Sequence, residues 1–259
     1  MNELLKWREE FPILEKTTYL ISNSLGAMPR GVHERMQEYA ETWATRGVRA
    51  WEEGWWELAA ETGDRIGALN ADFAVGGVLK WLCGGPGVAY LYVRPDLRGR
   101  LEPGVTGWFA HRRPFQFEPG PIERRDDAFR FLTGTTQVPA LYACQPGLEI
   151  ISQVGVERIR ENSVRQTTRL MEGARARGWQ VNSPANSRER GGTVSVECPH
   201  AAEVMQELLA RDILVDYRPK AGIRLSPHFY NRDEEIDFAL AQIEEILATR
   251  TWERHLQAV

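Results

Sequence analysis

Lys80 sits in the stretch Asp72-Phe73-Ala74-Val75-Gly76-Gly77-Val78-Leu79-Lys80-Trp81-Leu82-Cys83-Gly84-Gly85-Pro86-Gly87, and Val88-Ala89-Tyr90-Leu91-Tyr92-Val93 follows it. One strand-like apolar run delivers an amine into a glycine-rich turn, and a second run carries the chain away. This pattern predicts a hairpin over residues 72–93. An amine held there in a low-dielectric pocket has its charged form disfavoured. The neutral amine can then attack a carbonyl and form a Schiff base. The glycines allow close approach where a Cβ would clash. Spacing alone favours an ordinary hairpin with a lysine at its tip, because lysines at strand ends are common.

The chain has 259 residues, enough for one large domain or two small ones. Its net charge of −4 argues against nucleic acid as a partner. No apolar run is long enough to cross a bilayer, and the charged start, Met1 to Glu10, lacks a signal-peptide apolar region. Cys83, Cys144 and Cys198 are odd in number and far apart, which reads as reduced thiols in a cytoplasmic protein. Five of the nine tryptophans precede residue 60, which suggests a surface made to be covered by a domain or a second subunit.

Periodicity predicts helices over residues 1–10, Arg30–Thr45 after Pro29, Glu52–Leu69, Ala140–Ser152 and Gly155–Gly178. Trp55, Trp56, Ala59, Ile66 and Leu69 are the expected core positions of the third. Residues 94–127, rich in Pro, Gly and Arg, read as a long ordered loop. Beyond them come strands at Trp179–Val181, Gly192–Glu197, Ile213–Tyr217 and Gly222–Ser226, with helices at Ala201–Arg211 and Asp233–Thr249. That order predicts an α+β layer, a small sheet covered by helices on one face. Three domains are expected: a helical segment over 1–70, the lysine hairpin and loop over 71–139, and the α+β unit over 140–259.

Several residues invite both a chemical and a structural reading. Trp108 offers an indole N–H to a phosphate oxygen, or simply packs in its loop. Thr133-Gly134-Thr135-Thr136 precedes a helix, where hydroxyls and backbone N–H groups bind anions or cap the helix. Arg224 is a cation in an apolar strand and needs an anion, either a ligand or a nearby acidic residue. Asn23 and Ser24 can serve a ligand or form a capped turn. His111 could do acid–base work or lie on the surface. Cys198-Pro199-His200 lacks the second ligand pair that zinc requires, so no metal is expected.

The ordered set of these segments resembles the kynureninases and their neighbours among the class V aminotransferases, which have the pyridoxal phosphate (PLP) fold-type I architecture. Lys80 falls where that family places its Schiff-base lysine. Tyr19 to Gly26 resembles the family's Asn-Ser-Leu-Gly turn, and Trp51 to Trp56 the helix that follows it. Gly107-Trp108-Phe109, Thr133-Gly134-Thr135 and Ile223-Arg224-Leu225-Ser226-Pro227 resemble later landmarks. The likeness implies that Trp108, Gly134 and Thr135 help hold the cofactor phosphate, the last two across a homodimer. It implies that Arg224 clamps the substrate α-carboxylate and that Asn23 and Ser24 face the substrate.

The same resemblance exposes a departure. The chain runs from Gly63–Asn70 directly into Ala71-Asp72-Phe73, where the family has a long segment carrying the phosphate loop, the stacking ring and the Asp that pairs with the pyridinium nitrogen. That Asp keeps the ring an electron sink. The expected fold is therefore α/β: a truncated fold-type I, a large-domain remnant plus a small α+β C-terminal domain. The expected substrate is a small-molecule α-amino acid and the expected cofactor PLP. The expected reaction is kynureninase-like hydrolysis. The alternatives are class V aminotransferase, lyase or epimerase chemistry, or a non-catalytic remnant that dimerises or binds a partner.

Overall fold

The computed structural model describes residues 3–66 and 72–256. The Asn70–Ala71 junction and Leu69, together with the side chain of Ile66, lie outside what is described. In chain order the elements are β1 (Thr18–Tyr19), α1 (Val32–Arg46), α2 (Leu58–Ile66), β2 (Phe73–Gly77), β3 (Ala89–Val93), α3 (Pro95–Arg98), α4 (Val138–Val154), α5 (Val156–Ala176), β4 (Gln180–Val181), β5 (Val194–Glu197), α6 (Ala201–Ala210), β6 (Ile213–Leu214), β7 (Asp216–Arg218), β8 (Gly222–Leu225) and α7 (Asp233–Thr249). Residues Glu3–Glu10 form a 3-10 helix.

Contacts divide the chain into two compact units that do not follow chain order. Unit 1 comprises Met1–Gly31, Leu79–Cys83 and Glu149–Val259; unit 2 comprises Val32–Val78 and Gly84–Leu148. The physical reason lies in two places. The lysine turn belongs with the N-terminal residues, whereas its two strands belong to unit 2. Helix α4 contributes Val138, Leu141 and Tyr142 to one core and Ile150, Ile151 and Val154 to another. Pro146 lies inside that helix and has no N–H to offer the carbonyl four residues back.

Unit 1 holds an antiparallel sheet in the order β4-β5-β8-β7. Alternation sorts its side chains. Val194, Val196, Ile223 and Leu225 are buried, whereas Ser195, Glu197 and Arg224 alternate with them and are only half-buried. The buried set packs with Leu170, Leu208, Ile236, Leu240 and Ile243 from α5, α6 and α7. Each such fully buried side chain contributes roughly 1.5–3 kcal/mol relative to exposure. Helix α7 begins with Asp233-Glu234-Glu235, which favours its amino end, and the Glu235 carboxylate accepts from the Arg232 N–H at 2.8 Å. The strand expected over Ile213–Tyr217 is divided. Ile213–Leu214 pairs in parallel with β1, and Asp216–Arg218 joins β8 in the other sheet.

Unit 2 has a smaller core. The tryptophans expected to form a covered surface mostly cover one another. Trp51 stacks on Trp56 with centroids 4.3 Å apart and meets Trp55 edge-on at 5.2 Å, while Tyr39 stacks on Trp55 at 5.6 Å. Trp43 remains 62% exposed. Strands β2 and β3 pair only with each other among the described residues, in the register Val75↔Leu91. Phe73, Val75 and Leu91 are exposed on that ribbon. A two-stranded ribbon with a bare apolar face has little independent stability. Amide hydrogen exchange is therefore expected to be slowest in β5, β8, α5 and α7 and markedly faster in β2 and β3. Equal protection of the ribbon and the four-stranded sheet would contradict this ordering.

Candidate active site

The Lys80 turn is built by backbone contacts. The Cys83 N–H donates to the Lys80 carbonyl at 3.0 Å, and Cys83 has φ of 52°, a left-handed conformation that disfavours a Cβ. The Gly26 N–H donates to the Leu79 carbonyl at 3.0 Å. A Cβ on Gly26 would overlap the Lys80 carbonyl oxygen and lie 2.9 Å from Cys83 Cα. Glycine at 26 is thus what lets the Ser22–Gly26 turn and the lysine turn touch backbone to backbone.

Buried polar groups hold both turns. The Tyr230 hydroxyl bonds Ser22 Oγ at 2.7 Å and accepts from the Ala27 N–H at 3.4 Å. Tyr19 Oη donates to the Leu25 carbonyl at 2.8 Å. Burial pushes the Tyr230 pKa well up, and pushes Tyr19 and Cys83 each up to about 12, so all three keep their protons. On the other side of the lysine turn, His228 Nε2 lies 2.8 Å from the Trp81 carbonyl while the Phe229 N–H donates to His228 Nδ1 at 2.9 Å. Since Nδ1 accepts, Nε2 carries the proton and donates it to Trp81. A mostly apolar cleft of about 240 Å³ adjoins this pair, lined by Trp81, Leu82, Ile151, Ile159, Gly192 and His228 among others. A larger cleft of about 720 Å³, lined by residues such as Glu3, Arg158 and Asp233, shares none of the expected site residues.

Lys80 itself is exposed. The fold does not enclose it in the low-dielectric pocket that its apolar flanks suggest. On the turn locked to it, both amide atoms of Asn23 are buried and take no hydrogen-bond partner, while Ser24 is exposed. A buried amide with its donor and acceptor both unpaired is uncommon in a native fold. Arg224 lies on β8, and the next residue but one, Ser226, bridges Ile21 and donates its N–H to the Leu20 carbonyl at 2.7 Å. Strand register sets Asp216 opposite Arg224. Arg224 Nε donates to Asp216 Oδ1 at 2.7 Å and Nη2 bonds Asp216 Oδ2, a bidentate pair that raises the arginine pKa. The anion Arg224 needs is therefore supplied from within the chain.

Trp108, Gly134 and Thr135 lie in unit 2. Trp108 packs edge-on against Trp56 and Phe115. The Gly107 N–H donates to the Leu132 carbonyl at 3.3 Å, and a Cβ on Gly107 would overlap the Thr133 carbonyl, so Trp108 and the Thr133–Thr136 segment are neighbours. His111 Nδ1 accepts from the Arg113 N–H at 2.9 Å. The residues that sequence reasoning passes over are Ser22, His228 and Tyr230. Their signal is a His and an Asn set inside the aromatic run His228-Phe229-Tyr230-Asn231, immediately after the arginine strand.

Residues 159–243 match the family model of the kynureninase C-terminal domain. The chain is 34% identical over 208 residues to the kynureninase of Burkholderia mallei (strain SAVP1), covering 76% of this chain and 49% of that protein. Over these residues the chain is similar to the kynureninases. It spans about half the length of the curated relatives it matches. Its fold is similar to the cysteine desulfurase CsdA of Escherichia coli, with a TM-score of 0.74 at 12% identity over 96% of this chain and 99% of that one. It is also similar to a variant of C-DES with glycine covalently linked to its PLP cofactor, with a TM-score of 0.55 at 21% identity over 68% of this chain and 46% of that one. These likenesses place the chain in PLP fold-type I, a mixed α/β architecture. Its residues fit one end of PLP: Lys80 supplies an accessible amine, and the unspent Asn23 amide lies on the turn fastened to it.

Two outcomes test this construction. Gly26→Ala is expected to destabilise the protein by about 1–3 kcal/mol, since two backbones must part, whereas Gly134→Ala, with open space around it, should stay within about 0.5 kcal/mol. Urea denaturation measures both. Burial lowers the His228 pKa from 6.5 to about 4, so the folded ring is neutral and the unfolded ring binds a proton first. Its contribution is complete above about pH 6.5 and is lost as pH falls towards 4. Wild-type stability should drop by about 2 kcal/mol more than that of His228→Gln between pH 7 and pH 5. Parallel pH profiles for the two proteins would remove His228 as the cause.

Proposed function

We propose that the chain is a kynureninase-like, PLP-dependent protein that acts on an α-amino acid at Lys80 and holds its cofactor weakly. The observation that carries this reading is the backbone lock between the turn that carries Asn23, whose amide is unpaired, and the turn that carries the exposed Lys80. PLP, when bound, supplies the electron sink. The protein's own groups have separate tasks. Lys80 would hold the cofactor through its accessible amine and would move a proton at the substrate carbon. Asn23 Nδ2 and Oδ1 orient the amino acid, with Ser24 at the turn's surface. Arg224 takes the α-carboxylate once Asp216 yields one of its two bonds. By the family resemblance, the Trp108 N–H is a donor for the phosphate, and Gly134 and Thr135 reach it across a homodimer. Hydrolysis of the Cβ–Cγ bond is the proposed outcome.

Weak retention follows from what the shortened chain can offer. A PLP site depends on several charge-assisted hydrogen bonds, each worth roughly 1.5–3 kcal/mol. A site lacking three of them binds about a thousandfold or more weakly. The match, which covers 49% of the Burkholderia mallei kynureninase, supports such a deficit. A second reading, a non-catalytic protein that pairs with another copy, is favoured by Arg224 being satisfied internally by Asp216 and by the bare ribbon at Phe73, Val75 and Leu91.

The deciding experiment is a spectroscopic titration of the chain with PLP, beside Lys80→Ala. The expected result is a visible absorbance band that saturates only at high micromolar PLP or above, is absent from Lys80→Ala, and is fixed to the Lys80 peptide by borohydride. Kynurenine turnover should be slow. No Lys80-dependent band at millimolar PLP would leave the pairing reading, which light scattering then tests. Submicromolar affinity with rapid turnover would overturn weak retention.

A further inference from the structure

The segment from Gly107 to Thr136 in unit 2 carries five arginines and four carboxylates. All four carboxylates are engaged by three of the arginines. Arg112 Nη2 bonds Asp126 at 3.1 Å, Arg113 Nη2 meets Glu118 at 2.6 Å and Glu123 at 3.6 Å, and Arg125 meets Asp127 at 2.5 Å. Arg124 makes no ion pair among the described residues, and Arg130 makes only a long one, to Asp126 at 3.9 Å.

Arg130 is the stronger anomaly. It is only 6% exposed, and its Nε and Nη1 are both buried without a hydrogen-bond partner. Its one carboxylate neighbour, Asp126 Oδ1, is 3.9 Å away, beyond hydrogen-bond reach, and that Asp is 75% exposed and already bonded to Arg112. Arg124 has a buried, unpartnered Nε as well and no ion pair among the described residues. A buried guanidinium whose nitrogens lack hydrogen-bond partners is costly, because a long ion pair replaces little of the hydration it has lost. Native chains resolve such a cost with an anion. The Ala128–Phe131 turn that carries Arg130 packs beside Trp108–Ala110 and leads within three residues into Thr133-Gly134-Thr135-Thr136 ahead of α4. The backbone ties the parts together, since the Arg125 N–H donates to the Ala110 carbonyl at 2.9 Å and His111 pairs with Arg124.

We infer that Arg130, seconded by Arg124, is the base of a phosphate-binding site in unit 2. Two guanidinium groups without a close carboxylate offer an oxyanion two forks of donors, and the guanidinium fork fits phosphate oxygens. The site recognises the oxyanion itself, whether free phosphate or the phosphate of a small ester. It does not depend on Lys80 chemistry.

The test is thermal unfolding of the full chain with inorganic phosphate against chloride at matched ionic strength. Wild type is expected to gain roughly 3–6 °C at a tenfold excess over Kd. Arg130→Met should melt higher than wild type without phosphate, because an uncompensated charge is gone, and should gain nothing when phosphate is added. Arg130→Lys keeps the charge without the fork and should gain less than wild type. Lys80→Ala should keep the full gain, which separates this site from the reading of Lys80. Acetate should be ineffective, whereas glycerol phosphate matching inorganic phosphate would identify an ester as an accepted source. An equal phosphate gain in wild type and Arg130→Met, or no gain in wild type, would overturn the inference. So would loss of the gain in Lys80→Ala.

Discussion

The contact on which the rest of the site depends is the backbone-to-backbone approach of Gly26 to the Lys80 turn. No side chain could make it, because any Cβ at 26 would overlap the Lys80 carbonyl. Once made, it forces a consistent arrangement around it. Cys83 takes a left-handed conformation to close the turn, Tyr230 clasps Ser22 and Ala27 from below, and His228 caps the Trp81 carbonyl. Each of these groups is buried, and each buried polar atom named here is paired. Asn23 departs from that rule, with both amide atoms buried and unpaired.

Charge in this protein is settled locally, and the exceptions are informative. Arg8 and Glu235 form a largely buried pair at 2.7 Å, with Arg8 also donating to the Tyr230 carbonyl, and this ties the N-terminal 3-10 helix to the start of α7. Glu207 is nearly enclosed and is met by Arg211 and His255. Arg224 is met by Asp216 across the strands. Against this background a buried Arg130 with two unpaired nitrogens stands out, since burial of a single charge is far more expensive than burial of a pair.

Part of the fold was legible because it rests on local periodicity. Helix α7 runs over Asp233–Thr249 as its apolar spacing and acidic first turn dictate. The lysine hairpin forms where two apolar runs flank glycines. Resemblance carried the reading further than periodicity could, from the lysine turn to the arginine strand and the family itself. What stayed illegible depends on partners distant in sequence. The run Ile213–Tyr217 reads as one strand, but its two ends pair with different neighbours, one of them near residue 18. Tryptophans 51, 55 and 56 read as a surface to be covered, yet they satisfy one another with Tyr39.

By itself, then, the sequence determined the order of elements, the place of the amine at a hairpin tip and the kinship with PLP fold-type I proteins. These follow from side-chain period, turn residues and ordered motifs, all carried by neighbours along the chain. Only the tertiary structure decided that Lys80 is exposed, that Asp216 occupies Arg224, that the lysine turn groups with the N-terminal residues, and that Arg130 is buried with nitrogens unpaired. Exposure and pairing are properties of packing. They depend on which distant groups arrive to replace water, and no local pattern encodes that.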